Sequence, residues 1–234
     1  MHIYLERIDN MYKYKIGIID DKIMDIRSIK LSLEKNTDYV GCFTYEVYTE
    51  NQIKNVEFLI NDIFNQIASD ELDGLIIDQN MVYSNCAIKG SEFFEVITWR
   101  LPEFPVIILT NYENEANQNQ YVDSDKVYSK ADLFPLYETS KKLVDKYLRN
   151  LKRTRNLKIN LRQEIDEIED KLLHAVDTDE QDNLYDYLYV KEKALSKLVP
   201  VFENEKGNEI RKLNLADVMN DLEKIEDFLN GKNL

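Results

Sequence analysis

The stretch Lys15-Ile-Gly-Ile-Ile-Asp20-Asp21 decides the fold of this 234-residue chain. A short, β-rich apolar run that ends in acidic residues is typical of a buried strand in an open α/β sheet, which presents its chemistry at the carboxyl ends of its strands. Three later runs also end in a polar or charged residue, and they are Gly74-Leu-Ile-Ile-Asp78, Pro105-Val-Ile-Ile-Leu-Thr110 and Val127-Tyr-Ser-Lys130. The sequence therefore predicts that three acids, one hydroxyl and one ammonium converge at one edge of a sheet.

This set of side chains suits a site that holds Mg²⁺ and accepts a phosphoryl group on an aspartate. A carboxylate is a poor nucleophile toward a polyanionic donor unless a divalent cation neutralises the phosphoryl oxygens. Mg²⁺ prefers hard oxygen ligands, so two or three carboxylates and a carbonyl are sufficient to bind it. A lysine ammonium then supplies a compact positive charge for the acyl phosphate. The pattern indicates a signalling switch.

Helical patterns separate the apolar runs up to about residue 135, which predicts a parallel sheet with crossover helices. We expect strands at 14–19, 40–48, 74–77, 106–109 and 126–129. We expect helices at 22–35, along the apolar stripe from Ile53 to Ile67, and along the stripe from Phe93 to Trp99. The polar segment 111–124 is expected to hold at most a short helix.

The strand pattern ends at about Asp132, and amphipathic helices are predicted for the rest of the chain. The first of them is expected to continue the last helix of the sheet domain and to carry a heptad seam, at Leu161, Ile165, Ile168, Leu172 and Ala175. Thr178 with Gln181 predicts a capping box that opens the next helix, whose seam runs from Leu184 to Phe202. A last helix is expected from about Leu215, with Gly231 as its cap.

With these motifs in place, residues 13–150 resemble the receiver domain of bacterial response regulators. The resemblance implies that the phosphoryl group is contacted by Asp78, Thr110 and Lys130, and that Mg²⁺ is bound by Asp20, Asp21, Asp78 and the main-chain carbonyl of Asn80. Asp78 is the implied phosphoacceptor.

The resemblance also implies a fold and a role. The fold is a doubly wound, flavodoxin-like sheet of five parallel strands in the order 2-1-3-4-5. For residues 151–234 the heptad seams, which lie outside the resemblance, predict an all-α, coiled-coil extension for interaction or dimerisation. The role is that of a two-component response regulator in a phosphorelay, with self-phosphorylation and autodephosphorylation as its enzymatic activity. Its implied partners are a sensor histidine kinase or phosphotransfer protein and a downstream protein target. The long heptad seam of the tail separately predicts a second copy of the chain as a partner.

The departures from the receiver pattern concern the switch more than the chemistry. Val82 replaces the usual Pro after Met81, and Gly90 follows late, after an inserted polar stretch over 83–89 that is expected to enlarge the loop beside the site. Three switch positions also differ from the family, with Asn111 after the hydroxyl, Val127 where an aromatic residue is usual, and Ala131 after the lysine.

Two other function classes are open at this stage. A receiver that no longer turns over phosphate serves as an adaptor or scaffold, and the altered positions Asn111 and Val127 are compatible with that role. An aspartate-nucleophile phosphatase of the haloacid dehalogenase type also uses Asp, Thr and Lys. Its nucleophile lies on the first strand in an Asp-x-Asp motif, whereas Asp78-Gln79-Asn80 follows the third strand and lacks the second acid.

The composition limits the classes of partner that the protein can bind. A formal charge of −14 and a pI near 4.7 argue against nucleic-acid binding, because phosphate contacts supply most non-specific affinity. The basic patch over 152–158 with Arg162 is interpreted as a solvated helix face, and His174 as an ordinary helix residue. Two cysteines, Cys42 and Cys86, fit a reducing cytoplasm, and no stretch approaches the ~20 apolar residues of a membrane span. We expect a cytoplasmic protein.

Overall fold

The structure, a computed structural model, describes residues 13–35, 41–49, 56–83, 86–133 and 138–200. Its strands are β1 (Tyr14–Ile19), β2 (Phe43–Tyr48), β3 (Gly74–Ile77), β4 (Asn80–Tyr83), β5 (Cys86–Lys89), β6 (Val106–Thr110) and β7 (Val127–Ser129). Its helices are α1 (Ile23–Glu34), α2 (Val56–Ala68), α3 (Gly90–Arg100), α4 (Glu113–Ala116), α5 (Lys130–Leu133), α6 (Glu138–His174) and α7 (Thr178–Leu195). The described residues belong to one compact unit that ends at Pro200.

Five strands form a parallel sheet in the order β2-β1-β3-β6-β7. The predicted mixed α/β fold with a five-stranded parallel sheet is thus confirmed. The numbering differs from the expected 2-1-3-4-5 because a separate antiparallel hairpin, β4–β5, is inserted along the chain between β3 and β6. Strands β3 and β6 are buried along their whole length, as their uninterrupted apolar sequences require.

Apolar side chains pack on both faces of the sheet. Alternate residues of a strand point to opposite faces, so Ile77 joins a core cluster with α2 and α3, whereas Ile76 joins a cluster with α1 and the first turns of α6. Helices therefore cover both faces, which a parallel sheet needs in order to bury its strands.

The hairpin corrects the expectation of an enlarged polar loop at 83–89. The register pairs Asn80 with Lys89 and Tyr83 with Cys86, so most of the insertion is regular antiparallel structure. Met81 is fully buried in the core cluster with α2 and α3, whereas Val82 is exposed. The buried Met81 side chain therefore anchors β4 to the domain.

Helix α6 spans 37 residues, about 55 Å at ~1.5 Å per residue. Its first turns pack on the sheet, and further along, Leu161 packs with Leu198 and Val199 beyond the end of α7. Helix α7 returns antiparallel along it after a three-residue connection. The proposed domain boundary at 150/151 lies within α6 and stays a prediction. The predicted helix positions Ile53, Phe202, Leu215 and Gly231 fall outside the described residues.

The start of α7 differs from the prediction in its cap. The helix begins at Thr178, but the capping side chain is that of Asp177, which accepts a hydrogen bond from the Asp179 amide at 3.0 Å. The Gln181 side chain donates to the carbonyl oxygen of Ala175 at 2.8 Å. The predicted Thr178–Gln181 capping box is therefore wrong, because an aspartate one residue earlier takes the N-cap position.

The basic patch on α6 is not simply a solvated face. The guanidinium of Arg155 donates to Asp73 at the start of β3, with Nε 3.1 Å from Oδ1, and also lies over the ring of Tyr14. Lys158 and Arg162 both bind the carboxylate of Asp70, and Lys158 is itself buried. These contacts fasten α6 to the amino-terminal edge of the sheet. Lys152 and Arg153 are exposed, as expected.

Within the described parts of the chain, no helix combines the length and the apolar character needed to cross a membrane.

Candidate functional site

The strand register places the predicted acids next to one another. Ile19 of β1 is aligned with Ile77 of β3, so Asp20 and Asp78, the residues that follow them, lie side by side at the carboxyl edge of the sheet. Both carboxylates are buried. Their positions follow from local sequence, because each comes directly after an apolar run that the sheet buries.

Lys130 reaches these acids from the end of β7, the strand at one edge of the sheet. Its Nζ atom lies 2.9 Å from Oδ2 of Asp20, 3.0 Å from Oδ1 of Asp78 and 2.7 Å from Oδ2 of Asp25. Its side chain is only 2% exposed. Burial disfavours the charged ammonium, but the three carboxylates outweigh that cost, so the pKa of Lys130 lies above its usual value.

For Asp20 the balance is reversed, because burial outweighs the neighbouring positive charge. Burial raises the pKa of the Asp20 carboxyl to about 6, although Lys130 and the amide of Lys22, which donates to Oδ1 at 2.8 Å, both favour its charged form. The neighbouring charge of Asp78 adds to the rise. A divalent cation would relieve this repulsion.

Three carboxylates can face one cation. Oxygens of Asp20, Asp21 and Asp78 all lie within 4.8 Å of one another. The Oδ2 atom of Asp21 accepts a hydrogen bond from the amide of Val82 at 3.1 Å, while its buried Oδ1 atom has no hydrogen-bond partner among the described residues. A buried acceptor without a donor is costly, and hard carboxylate oxygens are the ligands that Mg²⁺ prefers, so the donor set fits that ion.

Asn80 and Thr110 flank this cluster. Asn80 is the first residue of β4, and its side-chain oxygen accepts a hydrogen bond from Lys89. Thr110 is fully buried at the end of β6, where its Oγ1 atom accepts from the amide of Tyr112 at 3.0 Å. The structure therefore sets both residues at the same edge as Asp78, and their roles stay predictions.

Hydrogen bonds between Gln79 and the start of α3 hold the segment around Asp78 in place. Gln79 is buried, its side-chain oxygen accepts from the amide of Ser91 at 3.0 Å, and its carbonyl accepts from the amide of Gly90 at 2.8 Å. The start of α3 is thus tied to the residue after Asp78. Gly90 is required there because a Cβ atom would lie 2.0 Å from the carbonyl oxygen of Asp78. The late glycine of the sequence pattern therefore has a steric function.

A surface ion pair links the end of the β4–β5 hairpin to α4. The ammonium of Lys89, at the end of the hairpin, binds the side chain of Asn80 and lies 3.0 Å from Oε2 of Glu115 on α4. The bridge connects the hairpin with the segment that follows Thr110. Lys89 and Glu115 are both about half exposed, so the contact is weak and easily opened.

The side chains of Val127 and Tyr128, neighbours on β7, pack on opposite faces of the sheet. Val127 packs against the core cluster that contains α2 and α3, whereas Tyr128 packs against the cluster that contains α6. The Tyr128 hydroxyl donates to the carbonyl of Asp125 at 2.7 Å, and the ammonium of Lys146 on α6 lies over its ring. The aromatic residue of this strand therefore faces α6.

Two features of the site were missed in the sequence. One is Asp25, which lies in the first turn of α1 and whose contact with Lys130 no local spacing in the sequence signals. The other is the hairpin, which did have a local signal, since two four-residue runs flank Ser84-Asn85, a pair of turn-forming residue types.

Comparisons of this chain with protein-family models and with curated proteins find no match.

Proposed function

We propose that this protein is a response regulator whose receiver domain accepts a phosphoryl group on Asp78 with the help of Mg²⁺. The observation that carries the proposal is the cluster itself: Asp78 is buried between Asp20 and Lys130, and the three carboxylates that could face a cation include a buried oxygen on Asp21 with no hydrogen-bond partner in the described part of the chain. The flavodoxin-like order of the sheet, the hairpin aside, supports it.

Each residue has a part in the transfer. A carboxylate oxygen of Asp78 attacks the phosphorus of the donor, the bond from phosphorus to the leaving group breaks, and the leaving group keeps the electron pair and takes a proton from solvent. When bound, Mg²⁺ neutralises the phosphoryl oxygens. Lys130 moves its hydrogen bond from Asp78 to a phosphoryl oxygen, and the Thr110 hydroxyl, at the adjacent strand end, donates to another.

The test is phosphate incorporation from acetyl phosphate, followed as an acid-stable, base-labile label on the intact protein. Wild type is expected to be labelled only with Mg²⁺, and Asp78→Asn is expected to remain unlabelled. Asp182→Asn makes the same chemical change on exposed α7 and is expected to behave as wild type. Labelling of the Asp78→Asn protein would refute the assignment, and an unlabelled wild type would favour the adaptor.

The phosphatase alternative has less support. The residue after Asp78 is Gln79, whose side chain is buried and committed to the start of α3. The position after that is Asn80, which cannot act as a general acid. A phosphate-release assay on small phosphoesters tests this alternative, and we expect no turnover.

The proposal extends to the partners. The donors of a receiver are a sensor histidine kinase or a phosphotransfer protein, which places the chain in the cytoplasm. The output is the helical segment that begins with α6 and acts on a downstream protein, with homodimerisation as its assembly. Leu173 and Val176, near the tip of the α6–α7 hairpin, are 80% and 94% exposed, and such apolar residues suit a protein contact.

A further inference from the structure

A fourth carboxylate touches the site from α1. The Oδ2 atom of Asp25 lies 2.7 Å from Nζ of Lys130, which is the shortest of the three contacts that this ammonium makes with carboxylates. Asp25 is partly exposed, with 25% of its side chain accessible, whereas Asp20 and Asp78 are buried. Asp25 does not belong to the group of carboxylates that could hold the cation.

An ammonium group has three N–H donors, and the three carboxylates around Lys130 are enough to occupy all of them. Two of those carboxylates change partners in the proposed reaction. Asp78 becomes an acyl phosphate, and Asp20 turns toward the cation. Asp25 takes part in neither event, so it is the contact that can hold the ammonium throughout.

We propose that Asp25 is a positioning residue that keeps the ammonium of Lys130 in place while Asp20 and Asp78 are engaged by the cation and the phosphoryl group. This inference rests on the proposed function. Without Asp25, the long lysine side chain loses the anchor that takes no part in the chemistry, and it leaves the phosphoryl-binding position for part of the time.

The direction in which anion affinity changes when Asp25 is removed distinguishes a positioning role from a purely electrostatic one. Removing a negative charge beside an anion-binding site strengthens anion binding through long-range electrostatics. Loss of a positioning contact weakens it. A carboxylate in the first turn of α1 also stabilises that helix by interacting with the positive end of its dipole, but this effect does not depend on Lys130.

The experiment measures the affinity for beryllofluoride, a mimic of the phosphoryl group, by ¹⁹F NMR at saturating Mg²⁺. Asp25→Asn is expected to weaken binding about tenfold, within the range of coupling between charged residues in contact. Asp25→Glu is expected to restore much of it. In a Lys130→Ala background, Asp25→Asn is expected to change the affinity less than about twofold, because the residue acts through the lysine.

Thermal unfolding in EDTA checks that each variant is folded, and Asp25→Ser, which removes the carboxylate with a smaller side chain, is measured in parallel. Unchanged or tighter binding by the Asp25 variants would overturn the role of Asp25, as would an equal loss in the Lys130→Ala background. Both results leave the proposed function standing. A wild type that binds no beryllofluoride at saturating Mg²⁺ would overturn the proposed function, and the role of Asp25 with it.

Discussion

Gly90 lies against the backbone of Asp78 so closely that a Cβ atom would come within 2.0 Å of the Asp78 carbonyl oxygen. The contact is with main chain, which cannot move aside as a flexible side chain can. The start of α3 is therefore packed directly against the main chain of the predicted phosphoacceptor.

Gly90→Ala should destabilise the protein by ~1–3 kcal/mol, the usual cost of forcing an extra methyl into a packed site. Alanine is otherwise the better helix former, so the sign of the change is informative. Urea unfolding measures it. Glu92→Ala, at an exposed position in the same helical turn, should change stability by less than ~0.5 kcal/mol. Equal stabilities for wild type and Gly90→Ala would contradict the contact.

The raised pKa of Asp20 predicts a pH dependence of stability. Between pH 3.8 and about 6 the folded protein binds this proton more tightly than the unfolded chain, so the contribution of Asp20 to the free energy of unfolding falls as the pH rises through that window. The free energy of unfolding of Asp20→Asn, measured relative to that of wild type, should therefore rise by up to ~3 kcal/mol between pH 4 and pH 7.

Chemical denaturation in EDTA at several pH values tests this difference. The two proteins are compared by how steeply their free energies of unfolding change with pH. The absolute values are not compared, because Asp20→Asn also lacks the contact with Lys130 at every pH in the window. Asp182→Asn is the matched control and should follow wild type. Parallel curves for wild type and Asp20→Asn would show that burial does not perturb this carboxyl.

Arg155 should matter for stability more than its place on a polar helix suggests. Asp73 is buried and also accepts the amide of Lys15 at 2.8 Å, so Arg155→Ala leaves a buried carboxylate without its counter-charge. We expect a loss of ~2–4 kcal/mol in the free energy of unfolding. Lys152→Ala, three residues earlier and exposed, should be nearly neutral. Similar effects of the two substitutions would argue that α6 is not fastened at this edge.

The tail is expected to self-associate. Leu161 and Ile168 are buried, whereas Ile165 and Leu172 on the same seam are only half-buried. Replacing Ile165 and Leu172 with Asp should therefore give monomers or an unfolded tail, because an aspartate cannot be buried in such a seam. Sedimentation velocity at tens of micromolar measures the assembly. A monomeric wild type at that concentration would exclude the dimer.

Phosphorylation should alter α6. Lys130 opens α5, Leu133 packs in the same core cluster as Val144, and Tyr128 is covered by Lys146. A shift of Lys130 can therefore reach α6 through packed side chains, which predicts a modest change in hydrogen exchange across 133–161, about fivefold, when beryllofluoride and Mg²⁺ bind. Asp78→Asn should show no change. Unchanged exchange in a wild type that binds the mimic would mean that the receiver signals through another face.

The sequence by itself determined the parallel sheet and the chemistry at its edge. The apolar pattern predicts the strands Tyr14–Ile19 and Gly74–Ile77 to the residue, because a strand that the sheet buries has an apolar run that ends where burial ends. Once those strands are parallel neighbours, Asp20 and Asp78 must lie together. The start of α7 is signalled locally as well, although the Thr178–Gln181 pattern predicts the cap and the first helical residue one position later than the structure has them.

Only the tertiary structure decided which charges meet. Lys130 reaches Asp25 and Arg155 reaches Asp73 across long intervals of the chain, and no local pattern distinguishes these residues from solvated helix charges. Such pairs depend on the register of the strands and the path of α6, which are set by packing of the whole domain. Periodicity along a chain predicts which face of an element is buried. The choice of partner on that face is settled only when distant elements close on one another and charged groups must exchange water for a counter-charge.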